Sequence, residues 1–327
     1  MRMNGRRESG NIDDRRGQGS SGFGGSGGGL NNLALLFSLF SLFRKSKGSN
    51  GSNQKGGCGC LGIIVVLVIG YFVIKMMGSG GLDFGSVLNS GLVSSGSQSA
   101  YTETEYQPSE EEEALATFAK QVFAGTEDVW TEIFAQNGLT YECPRLVLYN
   151  DRTSSGCGAA NSSTGPFYCS ADKSVYIDLS FFMNMKRNIG ADGDFAYAYV
   201  IAHEVGHHVQ YLLGTLSQVH KRQSQVSEKE SNQLSVRLEL QADFFAGVWA
   251  YHDNKMFNSL EDGDIEEAIA AAQKIGDDYL QKQARGYTVP DSFNHGTSAQ
   301  RSKWLKKGIQ TGNPELGNTF DIEYSKL

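Results

Sequence analysis

The chain has 327 residues, enough for one large domain with appendages or for two modest ones. Its net charge of −7 excludes general nucleic-acid binding, which asks for a basic face. Of the 40 glycines, 23 fall in the first hundred residues, so a front that folds poorly precedes a globular back.

Residues 1–32 are Arg, Gly, Ser and Asn with almost nothing apolar, too little to order themselves by burial. Residues 1–57 as a whole read as a disordered cytoplasmic segment. Within it, 33–43 (LALLFSLFSLF) is a short apolar run. As a helix it rises only about 16 Å against a bilayer core of about 30 Å, so it is expected in an interface or against a membrane-protein partner. Residues 58–77 are the expected transmembrane helix. Leu61 to Met77 carries one charge, Lys75, near its end where it can snorkel, and 58–60 bring the span to the usual length of about twenty. It starts too far from Met1 for a cleaved signal peptide. Arg2, Arg6, Arg7, Arg15, Arg16, Arg44, Lys45, Lys47 and Lys55 precede the span, whereas Glu103, Glu105 and Glu110 to Glu113 follow it. The positive-inside rule then predicts a single-pass protein of the cell membrane, anchored in the lipid bilayer through 58–77, with the N-terminus cytoplasmic and the domain after the span extracytoplasmic. Residues 78–108 read as a flexible linker.

From 109 to 327 the chain is globular. Ser109 with Glu112 is a capping box ahead of Ala114, Leu115, Phe118 and Val122, and a second helix is expected over roughly 126–136. Leu146 to Tyr149 and Ser174 to Leu179 read as strands, the latter in a hairpin with 165–169. Helices are expected over 191–214, 233–249, 265–283 and 298–308, with 218–232 either a solvated helix or a loop. Cys157 and Cys169 enclose a short loop that a disulfide would close at low entropic cost in an oxidising compartment. Cys143 is left over. Cys58 and Cys60 read as small residues at a helix entrance rather than as a metal or lipid site.

The chemistry sits in His203-Glu204-Val205-Gly206-His207. Four residues apart on a helix, His203 and His207 project from one face and can reach one Zn²⁺. Glu204 is placed to take a proton from water held at such a metal and to pass it to a leaving amine. The bland alternative is a helix with two surface histidines. His208 is turned about 100° from His207 and reads as an outer partner or a surface residue. A third ligand is expected from another element. Glu239 is the best candidate, flanked by apolar residues on a helix that can pack against the first. Asp243, one turn on, is suited to fix a ligand histidine's tautomer, with the ligand role as its fallback. Downstream, His295, Tyr287 and Arg301 are candidate donors to an oxyanion; equally, Thr297 or Ser298 caps a helix there and His295 is merely packed. An edge strand beside the catalytic helix would bind an extended peptide by strand addition.

Several motifs occur in order: Gly156-Cys-Gly-Ala-Ala160, Gly165-Pro-Phe-Tyr-Cys169, Val175 to Phe182, His203 to Gln210, Leu238 to Trp249, and His295-Gly-Thr-Ser-Ala-Gln-Arg301. Over about 100–325 plus the hydrophobic span, the chain resembles the neutral zinc metallopeptidases of bacteria, the YpfJ-like group. The resemblance implies an N-terminal membrane anchor and a zincin-like domain, with zinc at His203, His207 and Glu239 and with Glu204 as general base. The chain departs from the group in its longer Gly/Arg/Ser-rich front, the run 33–43 and Cys143.

The expected fold is α+β, a zincin-like domain over 109–327, mostly helical with a small sheet, preceded by a disordered N-terminus and one transmembrane helix. The expected function is zinc-dependent hydrolysis of peptide bonds in peptide or protein substrates, with Zn²⁺ as cofactor and no nucleic-acid partner. A catalytically inert, zinc-stabilised scaffold of an envelope complex is the alternative. A zinc hydrolase of other amides is a third reading.

Overall fold

The computed structural model describes residues 1–18, 106–190 and 193–327, and these belong to one packed unit. Close to its start the chain forms a short strand, β1 (Ile12–Asp14), and helix α1 (Glu110–Gln136) follows the undescribed stretch. Ser109 accepts the Glu112 backbone N–H, and four glutamates fill the first turn of α1, which satisfies its orphan amides and complements its positive end. The break expected near residue 125 is absent, and α1 runs on as one helix. Thr126 stays helical because its hydroxyl donates to the Phe123 carbonyl. Gly125 is needed there for space, since an added Cβ would press on Arg6 and Asp253.

Strands β2 (Arg145–Tyr149), β3 (Arg152–Ser155), β4 (Gly158–Asn161), β5 (Phe167–Cys169) and β6 (Ser174–Asp178) make two small sheets. The larger runs β1-β2-β6-β5, with β1 and β6 parallel to β2 and β5 antiparallel to β6. In register, Leu146 meets Val175 and Leu148 meets Ile177, and this face joins the main core under the helices. The opposite face carries Val147, Tyr149 and Tyr176, which cluster with Cys157 and Cys169. The disulfide Cys157–Cys169 is present. It ties the β3–β4 hairpin to the end of β5.

The remaining chain is helical: α2 (Leu179–Ile189), α3 (Asp194–Leu212), α4 (Thr215–Gln223), α5 (Glu228–Phe257), α6 (Asp264–Lys274), α7 (Asp277–Arg285) and α8 (Ser298–Thr311). The helix expected over 265–283 is thus two. Asp277 starts the second, and its carboxylate accepts the backbone N–H groups of Asn294, His295 and Gly296, holding the loop that leads to α8. Helices α5 and α8 touch backbone to backbone. A Cβ on Gly247 or Gly308 would collide with the main chain of the other helix.

Three expectations need correction. The mostly helical α+β architecture is as expected, but a disordered N-terminus is wrong for residues 1–18. Composition misses their order because their partners lie far along the chain. Arg6 makes a two-pronged ion pair with the fully buried Asp253, 247 positions away, at 2.6 and 3.2 Å. Arg7 pairs with Glu127 and Asp128, and Ser9 and Asn11 both donate to Glu127. The transmembrane helix is not supported: among the described residues no helix is long and apolar enough to cross a membrane. The segments 58–77, 33–43 and most of 78–108 lie outside the described residues. The single-pass localisation, with the N-terminus and catalytic domain on opposite sides of a bilayer, is overturned as well. Residues 1–18 and 106–327 pack into one unit, so both ends of the intervening stretch stand on the same side of any barrier. The lipid and membrane-protein partners that rested on this topology have no support.

Removing a buried charge's partner is costly, whereas half-exposed pairs contribute about 0–1 kcal/mol. Arg6→Ala is therefore expected to destabilise the full chain by about 3–5 kcal/mol in urea unfolding. Arg7→Ala, at a half-exposed guanidinium, should cost about 1 kcal/mol or less. Equal effects would mean that Asp253 is not held by Arg6.

Candidate metal centre

Helix α3 is buried along most of its length, and Tyr199, His203 and His207 recur every fourth residue on one face. The two imidazole rings stand with centroids 4.8 Å apart and planes at 88°. Helix α5 crosses this face closely because Gly206 lies against it; a Cβ there would sit only 3.0–3.1 Å from the Ala242 main chain. That approach brings Glu239 over the imidazoles, its oxygens 3.2 Å from His203 Nε2 and 3.5 Å from His207 Nε2. One ligand atom from each of the three residues lies within 4.8 Å of the others, a group that can hold a metal ion.

The donor set fits zinc. Two imidazole nitrogens and one carboxylate oxygen form the three-ligand set of hydrolytic zinc sites, which keep a fourth position open. The orientation of the rings fits too. His203 Nδ1 is 2.8 Å from Asp243 Oδ1, and His207 Nδ1 is 2.9 Å from Gln210 Oε1. Each ring thus uses its far nitrogen on a fixed acceptor, leaving Nε2 directed at Glu239.

The surroundings favour positive charge between the helices. Burial alone would lower the pKa of His203, yet the charge and hydrogen bonds of Asp243 and Glu239 raise it to about 10. Burial raises Glu239, but the nearby His207 and His203 outweigh it and hold the carboxylate below its usual range. Glu204 goes the other way: burial pushes its carboxyl up, against the opposing pull of His203 and His207. A carboxylate shifted upward beside two imidazoles is suited to take and return a proton.

Beneath the site lies a buried ion pair. Arg301, on α8, donates through Nε and Nη2 to both oxygens of Asp243, at 2.8 and 2.9 Å. Arg301 is 3% exposed and Asp243 fully buried. Tyr199 adds its hydroxyl to Asp243 Oδ1 at 2.6 Å. Burial would raise Asp243, but Arg301 and His203 keep it ionised. Arg301 is therefore occupied below the imidazoles rather than offered to an oxyanion. Tyr287 is 61% exposed and lies beside Arg285, with the guanidinium 5.2 Å from its ring centroid. His295 lies with Nδ1 3.0 Å from Asp277 Oδ1. Burial lowers its pKa, but the charge and hydrogen bond of Asp277 override this, and the charge of Glu239 adds to the rise. Thr297, with Gln300, caps α8.

His208 is fully buried rather than at the surface. Its Nε2 can only donate to the Glu142 carbonyl, 2.7 Å away, so Nδ1 accepts from the Tyr168 hydroxyl at 2.9 Å. Burial lowers its pKa to about 4, which keeps it neutral. This histidine ties α3 to β5, the strand that ends the sheet. Sequence reasoning missed Tyr199, Gln210 and Asp277. The first two were within reach, one turn before His203 and one turn after His207. A second acidic group, Asp194, Asp264 and Glu267, contains no imidazole; Asp194 and Asp264 accept from the Met1 amine at 2.8 and 3.2 Å.

Comparison with known proteins gives a consistent picture. The profile of a family described as "Putative neutral zinc metallopeptidase" matches residues 1–320. A protein of Escherichia coli K12 described as "Uncharacterized protein YpfJ" is 47% identical over 320 residues, covering 98% of this chain and 99% of its own length. "Uncharacterized protein Rv2575" of Mycobacterium tuberculosis is 43% identical over 190 residues, 55% of this chain and 63% of its own. No solved structure matches.

Proposed function

We propose, from the premise that the chain belongs to the neutral zinc metallopeptidase family, that it hydrolyses peptide bonds with zinc held by His203, His207 and Glu239. The observation that carries this reading is the convergence of two Nε2 atoms and one carboxylate from neighbouring helices, with the buried Glu204 next in the chain to His203 and within the field of both imidazoles. Zinc, when bound, would act as a Lewis acid and lower the pKa of water in its open position to about 7. Glu204 takes a proton from the attacking water and delivers it to the leaving amine nitrogen. His295, whose ring is held by Asp277, serves as donor to negative charge developing on the carbonyl oxygen. An extended peptide would pair with β5, which His208 and Tyr168 hold against the catalytic helix. A scaffold stabilised by zinc would have no use for a buried Glu204, so the catalytic reading is preferred.

The test uses the full chain, metal analysis and a peptide library. Cleavage is expected, lost with a zinc chelator and restored by added Zn²⁺. Glu239→Ala should weaken zinc binding by more than the ~10–100-fold that loss of an outer partner costs. Stoichiometric zinc without cleavage of any peptide would favour the scaffold. Undiminished zinc affinity in Glu239→Ala would pass the third position to another group.

A further inference from the structure

The amide of Gln210 is fully buried where α3 and α5 meet, and its place in the hydrogen-bond order is dictated from a distant part of the chain. The carbonyl of Gly317, closing the turn Pro314–Gly317, is an acceptor only. It takes a hydrogen bond from Gln241 Nε2 at 3.0 Å, which turns Gln241 Oε1 toward Gln210. Gln210 Nε2 answers as donor to that oxygen at 3.1 Å and to the Leu238 carbonyl at 2.7 Å. Both its protons are then committed, and its Oε1 is left facing His207 Nδ1 at 2.9 Å. An oxygen in that position can only accept, so Nδ1 must carry the ring proton and Nε2 must present its lone pair.

From this order we infer that Gln210 is a positioning residue for the metal centre, and that the C-terminal turn at Gly317 sets the tautomer of His207 through Gln241 and Gln210. The inference rests on His207 being a zinc ligand. Two backbone carbonyls, of Leu238 and Gly317, fix the direction of every bond in the chain, so neither amide can be reversed without burying two donors or two acceptors face to face. The Leu238 bond has a further effect. It fastens α3 to the main chain of α5 at the residue before Glu239, so one side chain orients one candidate ligand and registers the backbone of another. His203 is served differently, by a carboxylate that Arg301 keeps ionised. One imidazole therefore meets a charged acceptor and the other a neutral one, which limits the negative charge gathered around a divalent ion.

The experiment compares Zn²⁺ affinity, by chelator competition, in the full chain and in Gln210→Met and Gln210→Glu, with urea unfolding of the zinc-free proteins alongside. Both variants lose the donations to Leu238 and Gln241, and Gln210→Glu also sets an oxygen against those two acceptors, so a merely structural role would make Gln210→Glu the worse of the two. Only Gln210→Glu keeps an acceptor for His207 Nδ1–H. Gln210→Met is expected to bind Zn²⁺ about 10–100-fold more weakly, and Gln210→Glu to stay within about threefold of the parent or bind more tightly. The inference is overturned if Gln210→Met binds as tightly as the parent, or if Gln210→Glu loses tenfold or more. If Gln210→Met does not fold, the second criterion decides alone. A parent chain that binds no Zn²⁺ would instead remove the metal-centre reading itself.

Discussion

Glu204→Gln is expected to reduce peptide hydrolysis by about 10²–10⁴-fold, the contribution of a positioned general base. The fold and zinc content should be unchanged. Glu204 holds none of the three candidate ligand atoms, and glutamine keeps its shape. Burial already disfavours the charged carboxylate, so the neutral amide removes a desolvation cost, and stability should hold or rise. Loss of activity with retained zinc and an undiminished unfolding midpoint is the expected pattern. Activity within a few-fold of the parent would assign the proton transfer elsewhere, and loss of zinc would make Glu204 part of the coordination shell.

The second large effect is expected at Arg301. Arg301→Met leaves the carboxylate of Asp243 buried without its two guanidinium hydrogen bonds, and unfolding free energy should fall by about 3–5 kcal/mol. Tyr199 and His203 remain as partners of Asp243, but both meet Oδ1, so the oxygen that Arg301 Nε held loses its hydrogen bond. Combining Arg301→Met with Asp243→Asn removes the stranded charge and should recover most of the stability. It should not recover zinc affinity, because a carboxamide is a weaker acceptor for His203 Nδ1–H than a carboxylate. Urea unfolding of the zinc-free proteins and chelator competition separate the two effects. A loss below about 1 kcal/mol in the single variant would mean that the pair behaves like an exposed one.

The pairing of His203 with His207 was legible because helical spacing is a local rule, i and i+4 sharing a face, whereas Glu239, on the next helix, could be singled out only by its apolar flanks. The disulfide was legible for the same reason, two cysteines bracketing a short loop. What escaped reading depended on partners remote in the chain. Arg6 looks like one more charge in a disordered front until Asp253 is placed beside it. The start of a second helix near 126 looks plausible until the pair that needs the space at Gly125 is known. Asp277 looks like an ordinary helical acid, yet it starts a new helix, and three amides from beyond residue 293 converge on it. The charge asymmetry that suggested a topology has a different use in part: Arg6, Arg7 and Arg16 meet acids within the same packed unit.

Strand β1 also bears on how the chain is made. Its residues leave the ribosome well before the edge they occupy, at Leu146 to Leu148, which is synthesised more than a hundred residues later. Non-local parallel pairings of this kind are slow to form, since a long loop must close before any contact rewards it. This early segment is thus among the last that can dock, and until it does, Asp253 and Glu127 wait without their arginines. A tag or truncation at the amino end would act on this late step, lowering the yield of folded protein without touching a residue of the metal centre.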